Sequence, residues 1–202
     1  MTAAPCSMQE FWSKQHEADE RFWLTGTPPA LVFTMHGIEV PENMTVLDIG
    51  VGTGDFTNWC AARGNRMIAC DISEAALSKV KGTAETYLVE DLSQAPPADM
   101  AICHLVFQHC SDEMVLHILK SVQLKPSGIF SFQFACLLNP VVTPLLQTYI
   151  DEGKLVFRGQ DAIYKLIEQA GPRQLLMSGV SAYNWRGNSI GWHFVKCGAR
   201  HG

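Results

Sequence analysis

Apolar positions in this chain fall into short unbroken runs separated by amphipathic stretches, the pattern of parallel strands buried on both faces and joined by surface helices. Residues 45–49 (TVLDI), 67–72, 87–89, 100–107 and 128–135 read as such strands. Helices are expected between them at 56–63, at 74–80 behind a Ser73 cap, and at 112–122. Further on, a helix at 160–169 precedes strands near 174–178 and 190–196, with Asn184 to Asn188 as a loop. Two strands joined without a helix imply an antiparallel hairpin at one sheet edge. Ahead of this core, 9–23 reads as an amphipathic helix carrying Trp12, Phe22 and Trp23, ended before Gly26, and 30–36 as a second short helix.

Length and composition narrow the picture. A chain of 202 residues, 47% hydrophobic and 17% charged, suits one compact domain with a short extension. The expected division is an N-terminal helical extension or lid over 1–40 and a catalytic domain over 41–202. A net charge of -5 without a run of Lys or Arg argues against nucleic acid as main substrate. No leader-like start and no run of about 20 apolar residues is present, so the expectation is a cytoplasmic protein without a membrane span. Seven cysteines, scattered without a CxxC, suit reduced thiols, and no histidine spacing suggests a metal site.

Candidate chemistry concentrates after the first strand. In Val46-Leu-Asp-Ile-Gly-Val-Gly-Thr-Gly54, Gly50, Gly52 and Gly54 let the backbone turn sharply and approach a ligand closely, and the following helix offers free N–H groups. A dinucleotide fingerprint requires G-x-G-x-x-G, and here Asp55 follows Gly54. Asp71 closes the second strand, where it can accept ribose hydroxyls, and Glu90-Asp91 closes the third.

Asp48, the glycine turn, Asp71 and Asp91 in this order resemble the class I S-adenosylmethionine-dependent methyltransferases, over roughly Thr45 to Gly198. The run from Ala98 to His109 is similar to that family's fourth strand and its following segment, and Leu124-Lys-Pro-Ser-Gly-Ile129 to its turn into the fifth. The resemblance implies an α/β fold: a Rossmann-like three-layer sandwich whose seven-stranded, mostly parallel sheet has an antiparallel edge hairpin, in the order 3-2-1-4-5-7-6. It further implies S-adenosyl-L-methionine as cofactor, with Asp48 among the residues that bind it and Gly50, Gly52 and Gly54 against its methionine part. Asp71, with Ile72 beside it, would bind the ribose, Asp91 flanked by Leu92 the adenine amino group, and the backbone at His104 and Leu105 would face the methyl-bearing sulfur.

Methyl transfer from a sulfonium needs mainly the positioning of two reactants and, for a hydroxyl acceptor, removal of a proton. His109, on the carboxyl side of the fourth strand, is the candidate base or substrate contact, although the matching histidine of the family is often structural. The Asn/Asp-Pro-Pro-Tyr/Phe segment of amino-group methylators is replaced by Phe107-Gln-His-Cys; Asn139-Pro140 follows the fifth strand instead. A small-molecule, sugar or lipid acceptor is therefore expected. The long connection from Leu137 to Arg158, with Tyr149, Asp151 and Arg158, and the N-terminal aromatic helix are the places to build its pocket. The alternatives are a catalytically inactive methyltransferase-like scaffold subunit and a nicotinamide-dependent oxidoreductase, the latter disfavoured by Asp55 and by the lack of a Tyr-x-x-x-Lys pair.

Overall fold

The computed structural model describes residues 7–17, 28–82, 84–138, 142–171, 173–185 and 188–200. They form two compact units, Met1–Ala95 and Pro96–Gly202.

In the first unit, α1 (Met8–Glu17) starts from a reciprocal cap: the Ser7 N–H donates to Glu10 Oε2 (3.0 Å) and the Glu10 N–H to Ser7 Oγ (3.2 Å). The expected remainder of this helix, with Phe22 and Trp23, lies outside the described residues. A short α2 (Pro29–Met35) follows, begun by proline at its first position. β1 (Thr45–Ile49) is buried at every position, as its uninterrupted apolar run requires, and pairs in parallel with β2 (Arg66–Asp71). β2 pairs in parallel with β3 (Glu85–Leu88), which ends in a 3-10 helix at Val89–Gln94. The β1 ladder continues one residue into the turn, where the Gly50 N–H donates to the Cys70 carbonyl at 2.7 Å. α3 (Asp55–Ala61) leaves that turn. α4 (Glu74–Leu77) has the expected Ser73 cap but ends earlier than 80, because Lys79 and Val80 wind on with tighter i→i−3 bonds to Ala76 and Leu77.

In the second unit, β4 (Ala98–Cys103) stops well short of the expected residue 107. Leu105 has φ of 57°, a left-handed conformation no strand accommodates, and the chain passes into a 3-10 turn at Phe107–His109. α5 (Asp112–Ser121) is capped by Ser111. β5 (Leu124–Leu137) starts earlier than expected: Leu124 pairs with Ala98, and the register then jumps so that Ile129 pairs with Met100, which places Pro126 and Gly128 in a bulge. The connection after β5 contains a helix that the hydrophobic pattern did not reveal, α6 (Pro144–Asp151), capped by Thr143. Asn139-Pro140 lies outside the described residues. α7 (Gln160–Gln169) leads into β6 (Arg173–Trp185) and β7 (Asn188–Arg200), an antiparallel pair in which β7 also runs antiparallel to β5. The expected loop at 184–188 is mostly strand, since Asn184 pairs with Ser189 and Trp185 with Asn188.

The strand order, β3-β2-β1-β4-β5-β7-β6, is the expected seven-stranded, mostly parallel sheet with an antiparallel edge hairpin. Among the described residues, no helix is long and apolar enough to cross a membrane.

The second unit is fastened by Arg158. It is almost wholly buried, and its guanidinium donates to Asp112 Oδ1 (2.9 Å), the Phe107 carbonyl (2.8 Å) and the Cys110 carbonyl (2.7 Å), while its N–H donates to the Ala135 carbonyl (2.9 Å). The same guanidinium lies 5.6 Å from the Phe134 ring, in a core where Phe107 packs on Phe132 and Phe134. These bonds hold the segment after β4 against β5. Arg158→Met should lower unfolding free energy by about 3 kcal/mol, because two buried carbonyls lose their donors; urea denaturation measures it, and a loss under about 1 kcal/mol would contradict the fastening role.

Candidate functional site

The glycine turn occupies the carboxyl end of β1. Gly50, Gly52 and Gly54 all have positive φ, at 82°, 53° and 75°. At Gly54 the requirement is also steric: a Cβ there would stand 2.9 Å from the Lys79 carbonyl oxygen. Asn58 of α3 donates its side-chain N–H to the same carbonyl at 3.3 Å, so the turn, the start of α3 and the turn after α4 form one close-packed cradle.

Two carboxylates lie under it. Asp71 ends β2, and its oxygens accept the Gly52 N–H (3.2 Å) and the Ser73 N–H (3.0 Å). Burial raises its pKa, and these backbone bonds oppose the rise. Asp48 is buried in β1 and accepts the Thr57 hydroxyl at 2.5 Å. Burial, with a further contribution from the Asp71 charge that the Thr57 bond only partly offsets, pushes the Asp48 carboxyl up to about 7. Neither carboxylate forms an ion pair among the described residues. The neighbouring Cys60 and Cys70 thiols are pushed far upward by burial, Cys60 to about 12, which removes them as nucleophiles.

Ile72 is half-buried beside Asp71. In the 3-10 helix after β3, Asp91 is exposed and accepts the Gln94 amide at 2.9 Å, while Leu92 is fully buried. Asp91 lines an open cavity of about 480 Å³ together with Leu77, Thr86, Tyr87, Leu88 and Gln94.

In the second unit, His104 and Leu105 follow β4 directly. The left-handed Leu105 costs about 1 to 2 kcal/mol and sharply turns the chain at the carboxyl edge. Burial lowers the His104 pKa to about 4; the Gln133 side-chain amide lies beside the ring, close enough to oppose that shift but outside hydrogen-bond geometry. His109 has both ring nitrogens engaged. Nδ1 is 2.8 Å from the Lys154 carbonyl, which can only accept, so the proton is assigned to Nδ1, and Nε2 is left to accept from the Gln108 amide at 3.2 Å. Burial lowers this pKa too, to about 4, against the Lys154 bond.

Sequence reasoning overlooked Gln133 and Gln108. Gln133 is fully buried in β5 with neither side-chain polar atom bonded, and Gln108 leaves its buried Oε1 without a partner. The signal was the pair of polar residues, Ser131 and Gln133, inside an otherwise apolar strand. Arg158, expected near an acceptor pocket, instead spends its donors inside the protein.

Residues 46–128 match the family model described as a methyltransferase domain. The chain is 32% identical over 108 residues to the tRNA 5-carboxymethoxyuridine methyltransferase of Escherichia coli strain K12, covering 46% of this chain and 41% of that protein. It is 34% identical over 77 residues to the malonyl-[acyl-carrier protein] O-methyltransferase of Hamiltonella defensa, covering 35% and 30%. The chain thus spans less than half the length of these curated relatives. Among solved structures, the Burkholderia thailandensis 1,6-didemethyltoxoflavin-N1-methyltransferase, holding 1,6-didemethyltoxoflavin and S-adenosylhomocysteine, superposes with a TM-score of 0.66 at 15% identity, over 99% of this chain and 94% of that one. This likeness shows the shared Rossmann-like fold.

The lowered His109 pKa has a consequence for stability. The folded protein keeps the ring neutral down to about pH 4, whereas the unfolded chain takes up a proton below about pH 6.5. Its contribution is therefore full above pH 6.5 and falls as pH drops toward 4. Between pH 7 and pH 5 the stability advantage of the wild type over His109→Gln should shrink by about 2 kcal/mol. Urea unfolding of both proteins at the two pH values measures this, and a constant difference would contradict a ring kept neutral in the folded protein.

Proposed function

With residues 46–128 matching the model of a methyltransferase domain, we propose that the protein transfers a methyl group from S-adenosyl-L-methionine to a small-molecule, sugar or lipid acceptor. The observation that carries this reading is the cradle itself: a glycine turn of positive-φ residues above two buried carboxyl groups that form no ion pair among the described residues. Such a site fits a ligand bearing both hydroxyls and positive charge. The cofactor supplies an electrophilic methyl group on a good leaving group; the chain's task is to bind, orient and exclude water.

Gly50, Gly52 and Gly54 are assigned to the methionine part and Asp71, with Ile72, to the ribose. Asp91 and Leu92 are assigned to the adenine, for which the 480 Å³ cavity offers adjoining space. Asp48 supports the turn from beneath. His104 and Leu105 keep the cofactor-side role that the resemblance implies. His109 is proposed as the acceptor contact: its Nδ1–H is anchored on Lys154, and its Nε2 can exchange the Gln108 amide for a donor on the acceptor. Its low basicity argues for positioning over proton removal. The N-terminal segment 1–40 is proposed as a lid, supported by the Lys79 ammonium, which donates to the His16 carbonyl of α1 (2.8 Å) while the Lys79 carbonyl packs on Gly54. The free thiols Cys60, Cys70, Cys103 and Cys197, all buried, support a reducing compartment such as the cytoplasm.

The E. coli relative acts on tRNA, which makes nucleic acid the second reading for the acceptor. The net charge of -5 weighs against it.

Calorimetry with S-adenosylmethionine, S-adenosylhomocysteine and NADH should show binding of the first two alone; binding of NADH alone would return the oxidoreductase. Asp71→Ala should weaken S-adenosylhomocysteine binding at least tenfold. Labelled methyl transfer should then be screened over small acceptors and bulk tRNA, and label entering tRNA alone would favour the second reading. His109→Ala should slow transfer at least tenfold with cofactor affinity unchanged; wild-type turnover in that variant would remove the contact.

A further inference from the structure

Cys103, the last residue of β4, pairs with Phe132, so Gln133 on β5 is level with His104, the first residue beyond the strand. Parallel α/β sheets take their ligands at this carboxyl edge. Phe132 and Phe134 pack on Phe107, so strand alternation turns the Gln133 side chain to the opposite face of the sheet, together with Ser131. There the amide is fully buried, and neither Oε1 nor Nε2 meets a hydrogen-bond partner. Among the described residues the one other such amide atom is Gln108 Oε1, in the turn that packs on β5. Native interiors rarely leave a polar atom unbonded, because each one costs stability, and here the exceptions gather at the segment leaving β4 instead of being scattered. That segment carries a second local cost in the left-handed Leu105. His104, which flanks the amide, is itself partly open to solvent, so Gln133 lies one side chain below the surface.

We propose that Gln133 selects the methyl acceptor: once the His104 side chain swings aside, the amide takes an uncharged group that offers a hydrogen-bond donor and acceptor side by side, a carboxamide or lactam. This rests on the methyltransferase reading and deepens it by naming the acceptor's chemistry. A primary amide pairs with a second amide through two parallel N–H···O bonds, one in each direction, and both of its buried atoms are then satisfied at once. An ionised group is disfavoured at the same place, since burying it requires a counter-charge. Burial holds the His104 ring neutral, and Arg158, the buried cation among the described residues of this unit, is committed to Asp112 and to the Phe107 and Cys110 carbonyls. The stability given up at Gln133 in the free protein is recovered on the acceptor. A ligand lacking either half of the pair leaves an amide atom unbonded, which makes the residue a determinant of specificity.

The test titrates the protein, in the presence of S-adenosylhomocysteine, with three probes of one shape and different charge: benzamide, benzoate and benzamidinium. Saturation-transfer NMR should show benzamide binding about tenfold more tightly than either ion. Gln133→Met should remove that preference with S-adenosylhomocysteine affinity unchanged. The same variant, of nearly equal shape, should unfold about 4 °C higher than the wild type, because two unbonded polar atoms leave the core. A glutamine with a purely structural role would show the reverse. Equal binding of the three probes, no binding of benzamide, or a lower unfolding midpoint in Gln133→Met overturns the proposal; the wild-type probe series decides even where the variant does not fold. Failure of S-adenosylhomocysteine to bind the wild type removes the methyltransferase reading and this inference with it, an outcome plainly distinct from cofactor binding without probe selectivity.

Discussion

One carboxylate closes two backbone turns at once. By accepting from Gly52 on one side and Ser73 on the other, Asp71 ties the loop after β1 to the loop after β2. The glycines keep their left-handed angles because their N–H groups have somewhere to point, and α4 starts where Ser73 is held. A hydrogen bond to a charged group is worth about 1.5 to 3 kcal/mol, enough to offset much of the expense of burying the carboxylate. The site and the fold thus share a residue: a group suited to ligand hydroxyls is also the bolt of the first unit.

Arg158 plays the corresponding part in the second unit with opposite charge. There the guanidinium satisfies carbonyls left free where the chain departs from strand geometry after Leu105. His109 sits between those carbonyls, with its ring orientation set by the Lys154 carbonyl. In both units the irregular segments at the strand ends are held by a buried ionisable side chain that bonds to backbone on both sides, which confines loop mobility next to the proposed chemistry.

The parts legible in the sequence were those decided by local chemistry. The TVLDI strand, the glycine turn and the Ser73 cap stand where pattern and residue type put them. The ends of β4 and β5 did not, because they depend on partners far away. Met100 to Phe107 is apolar enough to continue as strand, and only the left-handed Leu105 breaks it. Lys125 to Gly128 looks like a turn, yet its neighbours hold it in the sheet as a bulge. α6 was hidden because eight residues begun by proline carry too short a period to separate from a loop. Within the site, the carboxylates were visible by position, whereas the roles of Arg158 and Gln133 needed the third dimension: one long charged side chain turned inward, one amide left unpaired.

The two rims of the sheet are unequal. β3 is four residues long and carries the Arg66–Glu85 ion pair, so its free backbone edge is brief and charged. β6 runs for thirteen residues as the opposite rim, and Leu175 and Leu176 on it are both well exposed. A long edge strand carrying exposed apolar side chains is a template for strand addition. The edge most open to pairing with another strand is thus supplied by the last hairpin, far along the chain from the glycine turn and its carboxylates.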